Sequence, residues 1–198
     1  MSGCSLFPGF SSAGDTFRYA LQGFPDADVT PQQALQLPYA SMFARIGEGP
    51  KSLVILAEWS PPLAMWIGAD KSQFYMRHGI VERSAGLTYD LTTSSQQTPP
   101  WAGGSLESLY VVDFKYRGLF GLRAESTWQK GEASLQQLDS GVRLLTPWEQ
   151  QVRIPLIDWE IENTYWVDEA TGFVWASQQT ISPDMPALRY EILKPPAL

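Results

Sequence analysis

Three carboxylates spaced two residues apart are the strongest candidates for acid–base chemistry in this sequence. Asp158, Glu160 and Glu162 fall on one face of a predicted strand, where side chains two positions apart lie about 7 Å from each other. Many glycosidases work with two carboxylates roughly 5–10 Å apart, so the spacing is compatible with glycoside hydrolysis. The intervening Trp159 and Ile161 are apolar, however, which predicts that the acidic face meets solvent. We therefore expect no catalytic residues here, and a glycoside hydrolase is kept as an alternative function.

The only histidine and the only cysteine add little catalytic potential. His78 stands before Gly79 in a predicted two-residue turn, so we interpret it as a turn residue and not as a general base. Cys4 has no second cysteine to pair with, and one cysteine with one histidine is too few for a zinc site. The sequence thus predicts that the protein is not an enzyme and holds no metal or cofactor.

The position of Cys4 indicates lipid attachment instead. The segment Ser2-Gly3-Cys4-Ser5 resembles the end of a bacterial lipoprotein signal, in which a small residue precedes the cysteine that receives the lipid. No apolar signal segment stands before this cysteine, and we expect that it was removed and that Met1 was supplied for expression. A cysteine without function in a terminal segment is the alternative interpretation. We expect residues 1–14 to form a lipid-anchor tether and residues 15–198 to form a single β domain.

Charge and composition narrow the class of protein. The net charge is −7 with a sequence pI of about 4.7, and Lys and Arg form no cluster, which excludes nucleic acid as a partner. No run of about 18 apolar residues is present, so the sequence holds no candidate membrane-spanning helix. The 198 residues suffice for one sizeable core, and 16 Gly with 15 Pro indicate many turns.

The elements that must position these residues are mainly β-strands. The clearest is a hairpin over residues 164–178, in which two aromatic and β-branched runs flank a short polar loop. Gly172 can adopt the positive φ that ends such a loop. The Asp168 side chain can accept a hydrogen bond from the backbone of the loop. Alternation of apolar and polar residues predicts further strands at residues 110–116 and 122–128, each with one buried face.

Strands outnumber helices over the whole chain. We count about eleven candidate strands, one of them at residues 87–91, and treat residues 92–104 as irregular. Two short helices are predicted near the start, one capped by Asp15 and one capped by Thr30 with Gln33 three residues later. The pattern predicts an all-β domain with little helix.

Several segments together resemble the YjbF/GfcB family, the group 4 capsule and exopolysaccharide lipoproteins of Gram-negative bacteria. They occur in order from residue 4 to residue 196, so the resemblance covers essentially the whole chain. The segments are Gly3-Cys4, Asp15-Thr16-Phe17-Arg18, Leu37-Pro38-Tyr39-Ala40-Ser41-Met42 with Arg45, Gly86-Leu87, Asn163-Thr164-Tyr165-Trp166-Val167-Asp168 with Thr171-Gly172, and Leu193-Lys194-Pro195-Pro196.

This resemblance implies an outer-membrane lipoprotein encoded with polysaccharide-export genes, and it brings no catalytic residues. It also implies a large antiparallel sheet curled into an incomplete barrel, with one or two short helices at the N-terminal side. Ser5, rather than an aspartate, follows Cys4, as in lipoproteins that are sorted to the outer membrane. We expect a palmitate-bearing lipid anchor on Cys4 that holds the protein to the inner leaflet, facing the periplasm.

The eight tryptophans are the best lead to a ligand, because an exposed indole ring can stack on the C–H groups of a sugar. Six of them lie on the apolar side of predicted strands and are interpreted as core. Trp101 lies in an irregular loop and Trp148 follows Pro147, so we expect these two to be exposed and to contact a glycan or a partner protein. Since many capsule polymers are anionic, the net charge of −7 predicts binding through short-range contacts that persist at high salt.

The resulting interpretation is a non-enzymatic, lipid-anchored accessory factor in capsule or exopolysaccharide production or export, whose partner is the polysaccharide or another export protein. The first alternative is a periplasmic carrier that holds a lipid or acyl chain in a half-barrel, since the hairpin at residues 164–178 also resembles sheet-type lipoprotein carriers. A dry apolar concavity would favour the carrier, and a polar groove with exposed tryptophan would favour glycan or protein contact.

Overall fold

A computed structural model describes residues 29–93 and 97–196, which form an antiparallel β-barrel with one short α-helix on its outside. The helix, α1, spans Pro31–Gln36. No helix among the described residues is long and apolar enough to cross a membrane. The strands are β1 Ser41–Ile46, β2 Ser52–Ser60, β3 Leu63–Gly68, β4 Gln73–Arg77, β5 Ile80–Ala85, β6 Thr92–Thr93, β7 Glu107–Phe114, β8 Leu119–Lys130, β9 Ser134–Leu138, β10 Gly141–Ile154, β11 Trp159–Asp168, β12 Phe173–Gln179 and β13 Leu188–Lys194.

The barrel is closed by strand β10. Its residue Trp148 lies opposite Lys130 of β8 on one side and opposite Tyr165 of β11 on the other. Twelve strands therefore form a continuous ring in which β13 pairs with β1, and β9 alone pairs outside it. The expected incomplete barrel is thus wrong, because β10 is long enough to pair with both neighbours and leaves the ring without a free edge.

The helix confirms the prediction made from Thr30. The Thr30 hydroxyl accepts a bond from the Gln33 backbone N–H, and the Gln33 side chain accepts one from the Thr30 N–H (2.8 Å), which is a complete capping box. Ala34 packs against Phe43 and Leu53 on the outer face of the barrel. The helix predicted after Asp15 lies outside the described residues, as do residues 1–14 of the expected tether.

Two predicted turns are confirmed. Between β11 and β12, Gly172 has φ +68° and the Asp168 carboxylate accepts a bond from the Ala170 N–H at 2.9 Å. Between β4 and β5, His78 and Gly79 have φ of +50° and +83°, which gives the two-residue turn that the sequence predicted. Both turns lie at the same end of the barrel, because alternate connections of an antiparallel barrel share an end.

The alternation predicted for residues 122–128 is also confirmed, since every second side chain of that part of β8 is buried. The strand predicted at residues 87–91 is wrong. The Asp90 carboxylate accepts bonds from the N–H groups of Gly86 and Leu87 (both 3.1 Å) and from the Ser84 hydroxyl (2.8 Å). These local bonds hold residues 86–90 in a loop and compete with strand pairing.

The hairpin formed by β9 and β10 extends beyond the ring and folds back over its outer wall. At its tip, Lys51 forms an ion pair with Asp139 (2.5 Å), and the Asp139 N–H donates to the Glu191 carboxylate. Further along, the Arg143 guanidinium lies 3.4 Å from the ring centre of Trp175 in a cation–π contact. Strand β9 was not among the strands that the sequence predicted.

Candidate functional site

A polar bridge divides the barrel interior into two halves. The carbonyl oxygen of Gly79, in the β4–β5 turn, accepts bonds from the Tyr190 hydroxyl (2.8 Å) and the Gln179 amide (2.9 Å) on the opposite wall. The Gln179 side-chain oxygen accepts the Val81 N–H at 3.0 Å. We call the side lined by β5–β8, β10 and β11 the packed half, and the side lined by β12, β13 and β1–β4 the open half.

The packed half is filled by a buried polar network. The Gln150 amide donates to the Ser126 hydroxyl (2.9 Å), and the Gln150 oxygen accepts from Asn163 and from the Tyr165 hydroxyl (both 3.1 Å). Burial raises the pKa of Tyr165 well above its usual value, so the hydroxyl stays protonated and acts as a donor. A cavity of only about 40 Å³ remains beside this network. The packed half therefore offers no room for a ligand.

A cluster of aromatic rings covers one end of the packed half. The short 3₁₀ turn Pro100–Ala102 carries Trp101 over this end, where its ring centre lies 5.1 Å from Trp128, 5.2 Å from Tyr165 and 6.0 Å from Trp148. The enclosed indole N–H of Trp101 meets no acceptor among the described residues. The ring of Trp101 therefore covers this end of the packed half.

The expected exposure of Trp101 and Trp148 is therefore wrong. Trp148 is only 9% exposed and Trp101 is half-buried. Pro147 does not interrupt β10, so the strand continues through it and its alternation turns the side chain of Trp148 inward. Whether either residue contacts a glycan or a partner protein stays a prediction.

The open half contains a cavity of about 300 Å³, which we call the mouth cavity. It lies at the end of the barrel that carries the turns at residues 78–79 and 168–172. Its polar groups are few, and burial, followed by the charge of Arg77, lowers the pKa of His78, which favours the neutral imidazole. The apolar side chains of its wall are Trp59, Pro62, Ala64, Trp66, Met76, Phe173, Val174, Trp175, Ile192, Pro195 and Pro196.

A second concavity of about 270 Å³, the outer crevice, lies between the β9–β10 hairpin and the outer wall of β11, β12, β13 and β1. Gln136 and Leu138 line it from the hairpin. The side chains that line it from the barrel include Phe43, Arg45, Trp166, Gln178, Arg189 and Glu191, together with Lys51 before β2. Unlike the mouth cavity, the outer crevice therefore combines an aromatic wall with several charged groups.

The three carboxylates proposed for acid–base chemistry all stand on the outside of the barrel. Asp158 ends a 3₁₀ turn at φ +49°, Glu160 pairs with Arg153 at 3.0 Å, and Glu162 accepts a bond from the Gln151 amide. All three are exposed, as the alternation of β11 predicted. No group of three or more His, Cys, Asp or Glu within the described ranges could hold a metal ion. Cys4, the expected lipid site, lies outside the described residues.

Sequence reasoning missed the residues that line both concavities. Trp66 and Trp175 are buried, as the interpretation as core predicted, and together with Trp59 they also line the mouth cavity, which the sequence did not predict. Arg45 and Arg189 alternate with apolar residues along β1 and β13, and this alternation indicates that the two arginine side chains point out of the barrel. Nothing in the sequence shows that the first and last strands pair, and only that pairing brings the two arginines together.

Comparison with known proteins agrees with this architecture. The chain is 28% identical over 193 residues to the uncharacterized lipoprotein GfcB of Escherichia coli (strain K12), covering 91% of this chain and 88% of that protein. The crystal structure of the hypothetical lipoprotein YmcC from Escherichia coli (K12) has the same fold, with a TM-score of 0.76 at 24% identity, over 96% of this chain and 100% of that one. The model of the family described as group 4 capsule polysaccharide lipoprotein gfcB, YjbF matches residues 14–193, so the chain belongs to this family of capsule polysaccharide lipoproteins.

Proposed function

We propose that this protein is a non-enzymatic accessory factor in the production or export of a capsule or exopolysaccharide. The observation that carries the proposal is the family match, which covers residues 14–193 and thus nearly the whole barrel. In this proposal a lipid on Cys4 anchors the protein to the inner leaflet of the outer membrane, and the barrel faces the periplasm. The partner is the polysaccharide itself or another protein of the export machinery.

The geometry supports a binding role over a catalytic one. Asp158, Glu160 and Glu162 lie on an exposed outer face, and two of them are engaged with neighbouring polar side chains. General acid–base catalysis needs a group within hydrogen-bond reach of a bound substrate, which a convex face does not provide. Both large concavities lie elsewhere, one inside the barrel and one under the β9–β10 hairpin.

The proposal is tested by deleting the gene in the organism that encodes it and measuring the polymer that the cells secrete. We expect the polymer to fall and the wild-type gene to restore it. Complementation with Cys4→Ser should restore less polymer, and radiolabelled palmitate should enter the wild-type protein but not this variant. Unchanged polymer after deletion would refute the accessory role, and equal palmitate labelling of Cys4→Ser would refute the anchor.

The mouth cavity favours a second candidate function, that of a carrier for a lipid or acyl chain. Its wall is almost entirely apolar, and each buried methylene of an alkyl chain gains about 0.8 kcal/mol on leaving water. A sugar in the same place would find few partners for its hydroxyl groups, and each hydroxyl left unpaired would cost roughly 1–3 kcal/mol. About 300 Å³ is also near the lower end of the range for ligand pockets.

Titration with a fluorescent fatty acid tests the carrier function. Ala64 is buried in the wall of the mouth cavity, so Ala64→Phe should fill the space and weaken binding by about tenfold or more. The matched control is Ala133→Phe, which makes the same change at an exposed position. Absence of fatty-acid binding by the wild-type protein, or equal binding by the Ala64→Phe protein, would rule out the mouth cavity as an acyl-chain site.

A further inference from the structure

Two arginines lie directly opposite each other on neighbouring strands of the barrel wall. Arg45 of β1 pairs in register with Arg189 of β13, and like charges in this position repel each other. No carboxylate of the described residues forms an ion pair with either of them. The Nε of Arg189 donates to Gln178 at 2.9 Å, whereas the enclosed Nε of Arg45 meets no acceptor in the described ranges. Arginine stays protonated in proteins, so each of the two carries a positive charge that no ion pair of the described residues balances.

The same arginines line the outer crevice. The two carboxylates nearest the hairpin tip are already engaged, since Asp139 pairs with Lys51 and its N–H donates to Glu191. Burial raises the pKa of Glu191. The crevice thus presents a local positive charge on a protein whose net charge is −7.

The remaining wall of the crevice has the chemistry of a sugar site. The half-buried indole of Trp166 lines it, and such a ring can pack against the C–H face of a pyranose. The side-chain amides of Gln136 and Gln178 also line it, and each can donate to and accept from sugar hydroxyls. A volume of about 270 Å³ is slightly below the usual range for drug-sized ligands, which suits one sugar ring of a longer chain.

We infer that the outer crevice binds an acidic sugar unit of an anionic glycan, with the sugar carboxylate on Arg45 and Arg189 and the ring on Trp166. The inference rests on the proposed function in that it takes the exported polymer as the ligand. Guanidinium groups suit this task because their N–H donors match the two oxygens of a carboxylate. The hairpin tip, held by Lys51 and Asp139, forms one side of the site.

Isothermal titration calorimetry with tetragalacturonate tests the inference, with the neutral maltotetraose as the comparison ligand. We expect tetragalacturonate to bind and maltotetraose to bind at least about tenfold more weakly. Raising the salt concentration from about 0.05 M to about 0.5 M should weaken the binding of tetragalacturonate several-fold, because added salt screens the attraction. This is the opposite of the salt dependence expected from the net charge alone, because the crevice is locally positive. Inorganic phosphate serves as a competitor, and displacement of the sugar by phosphate at equal concentration would reassign the crevice to phosphate.

Substitutions then locate the site. Arg45→Gln and Arg189→Gln should each weaken the binding of tetragalacturonate by about tenfold or more, and Trp166→Ala should weaken both oligosaccharides. Arg153→Gln is the matched control, since Arg153 is exposed and already paired with Glu160 away from the crevice. Thermal unfolding separates a ligand site from a structural role. Removing one of two repelling charges should leave the melting temperature of the ligand-free protein unchanged or higher, whereas loss of a structural contact would lower it.

The outcomes also separate this inference from the proposed function. If both arginine variants bind tetragalacturonate as the wild type does, or if no binding occurs, the crevice assignment is wrong. If tetragalacturonate binds in the crevice but deletion of the gene leaves secreted polymer unchanged, the accessory role is wrong and the site stands. If deletion lowers the amount of secreted polymer and a gene carrying both Arg45→Gln and Arg189→Gln fully restores it, the accessory role is correct. The outer crevice is then not needed for that role.

Discussion

The two halves of the barrel interior are built from the same kind of alternating strand but are filled in different ways. The packed half closes around Gln150, Tyr165 and the tryptophan cluster, and it retains a cavity of about 40 Å³. The open half carries small inward residues such as Ala44 and Ala64 and retains cavities of about 300 Å³ and 170 Å³ at its two ends. A bridge from Gly79 to the opposite wall separates them.

This difference indicates that the two halves of the barrel have different roles. Buried polar groups that bond to one another define a single arrangement of their strands, because any shift would leave an unpaired group in a medium of low dielectric constant. The packed half therefore holds the ring in one geometry. The open half can leave apolar volume unfilled, which lowers stability but creates space for a ligand.

The largest effect is expected from a truncation in the packed half. Tyr165 is fully buried and its ring contacts Trp101 and Trp128, so Tyr165→Ala should lower the free energy of unfolding by about 3–5 kcal/mol. Tyr75 is half-buried on the outside, and Tyr75→Ala should cost about 1 kcal/mol or less. Chemical denaturation measures both. Similar losses in the two variants would contradict the role of the packed half as the stabilising core.

Enlarging an alanine in each half tests the difference in free volume directly. Ala124 is fully buried in the packed half, and Ala124→Leu should lower the free energy of unfolding by about 1–3 kcal/mol because the core is already filled. Ala64 borders the mouth cavity, so Ala64→Leu should cost less than about 1 kcal/mol. The comparison is made by urea denaturation of both proteins. Equal costs would show that the open half has no usable space in solution.

The turn at Gly172 lies where the halves meet, since a Cβ placed on this residue would come within 3.3 Å of the carbonyl oxygen of Trp101. Gly172→Val should lower the free energy of unfolding by roughly 1–3 kcal/mol, because a β-branched residue resists φ +68°. Gly172→Asn is the control and should cost less, since asparagine tolerates this conformation. An unchanged denaturation midpoint for the valine variant would mean that the turn has another conformation.

The smallest expected effect is the pH dependence of the stability that comes from His78 at the mouth cavity. The pKa of His78 is lowered from 6.5 in the folded protein, so the unfolded chain binds this proton more readily. The neutral form is favoured in the folded state, and stability should therefore fall as the pH drops below 6.5 and through the folded-state pKa. His78→Asn keeps the turn and should reduce this loss. Denaturation midpoints between about pH 7.5 and pH 5 measure it, and identical pH profiles would contradict the assignment.

Local features of the fold could be predicted wherever neighbouring residues decide the structure. The capping box at Thr30 and the turns at His78 and Gly172 depend on backbone preferences within a few residues, and all three were predicted. The strand at residues 87–91 was predicted wrongly because its apolar and aromatic residues suit a strand. Four local bonds of Ser84 and Asp90, which a propensity count does not weigh, determine the loop.

The sequence by itself determined the β class, the alternation of buried and exposed faces, the solvent position of Asp158, Glu160 and Glu162, and membership of the family, which the family match confirms. These properties follow from residue type and from spacing within single strands. Closure of the barrel, the burial of Trp148 and the pairing of Arg45 with Arg189 were decided by the tertiary structure alone. Each of these features depends on contact between strands that are distant in sequence. The net charge of −7 describes the whole chain, so it does not show where the pairing of distant strands places two positive charges side by side.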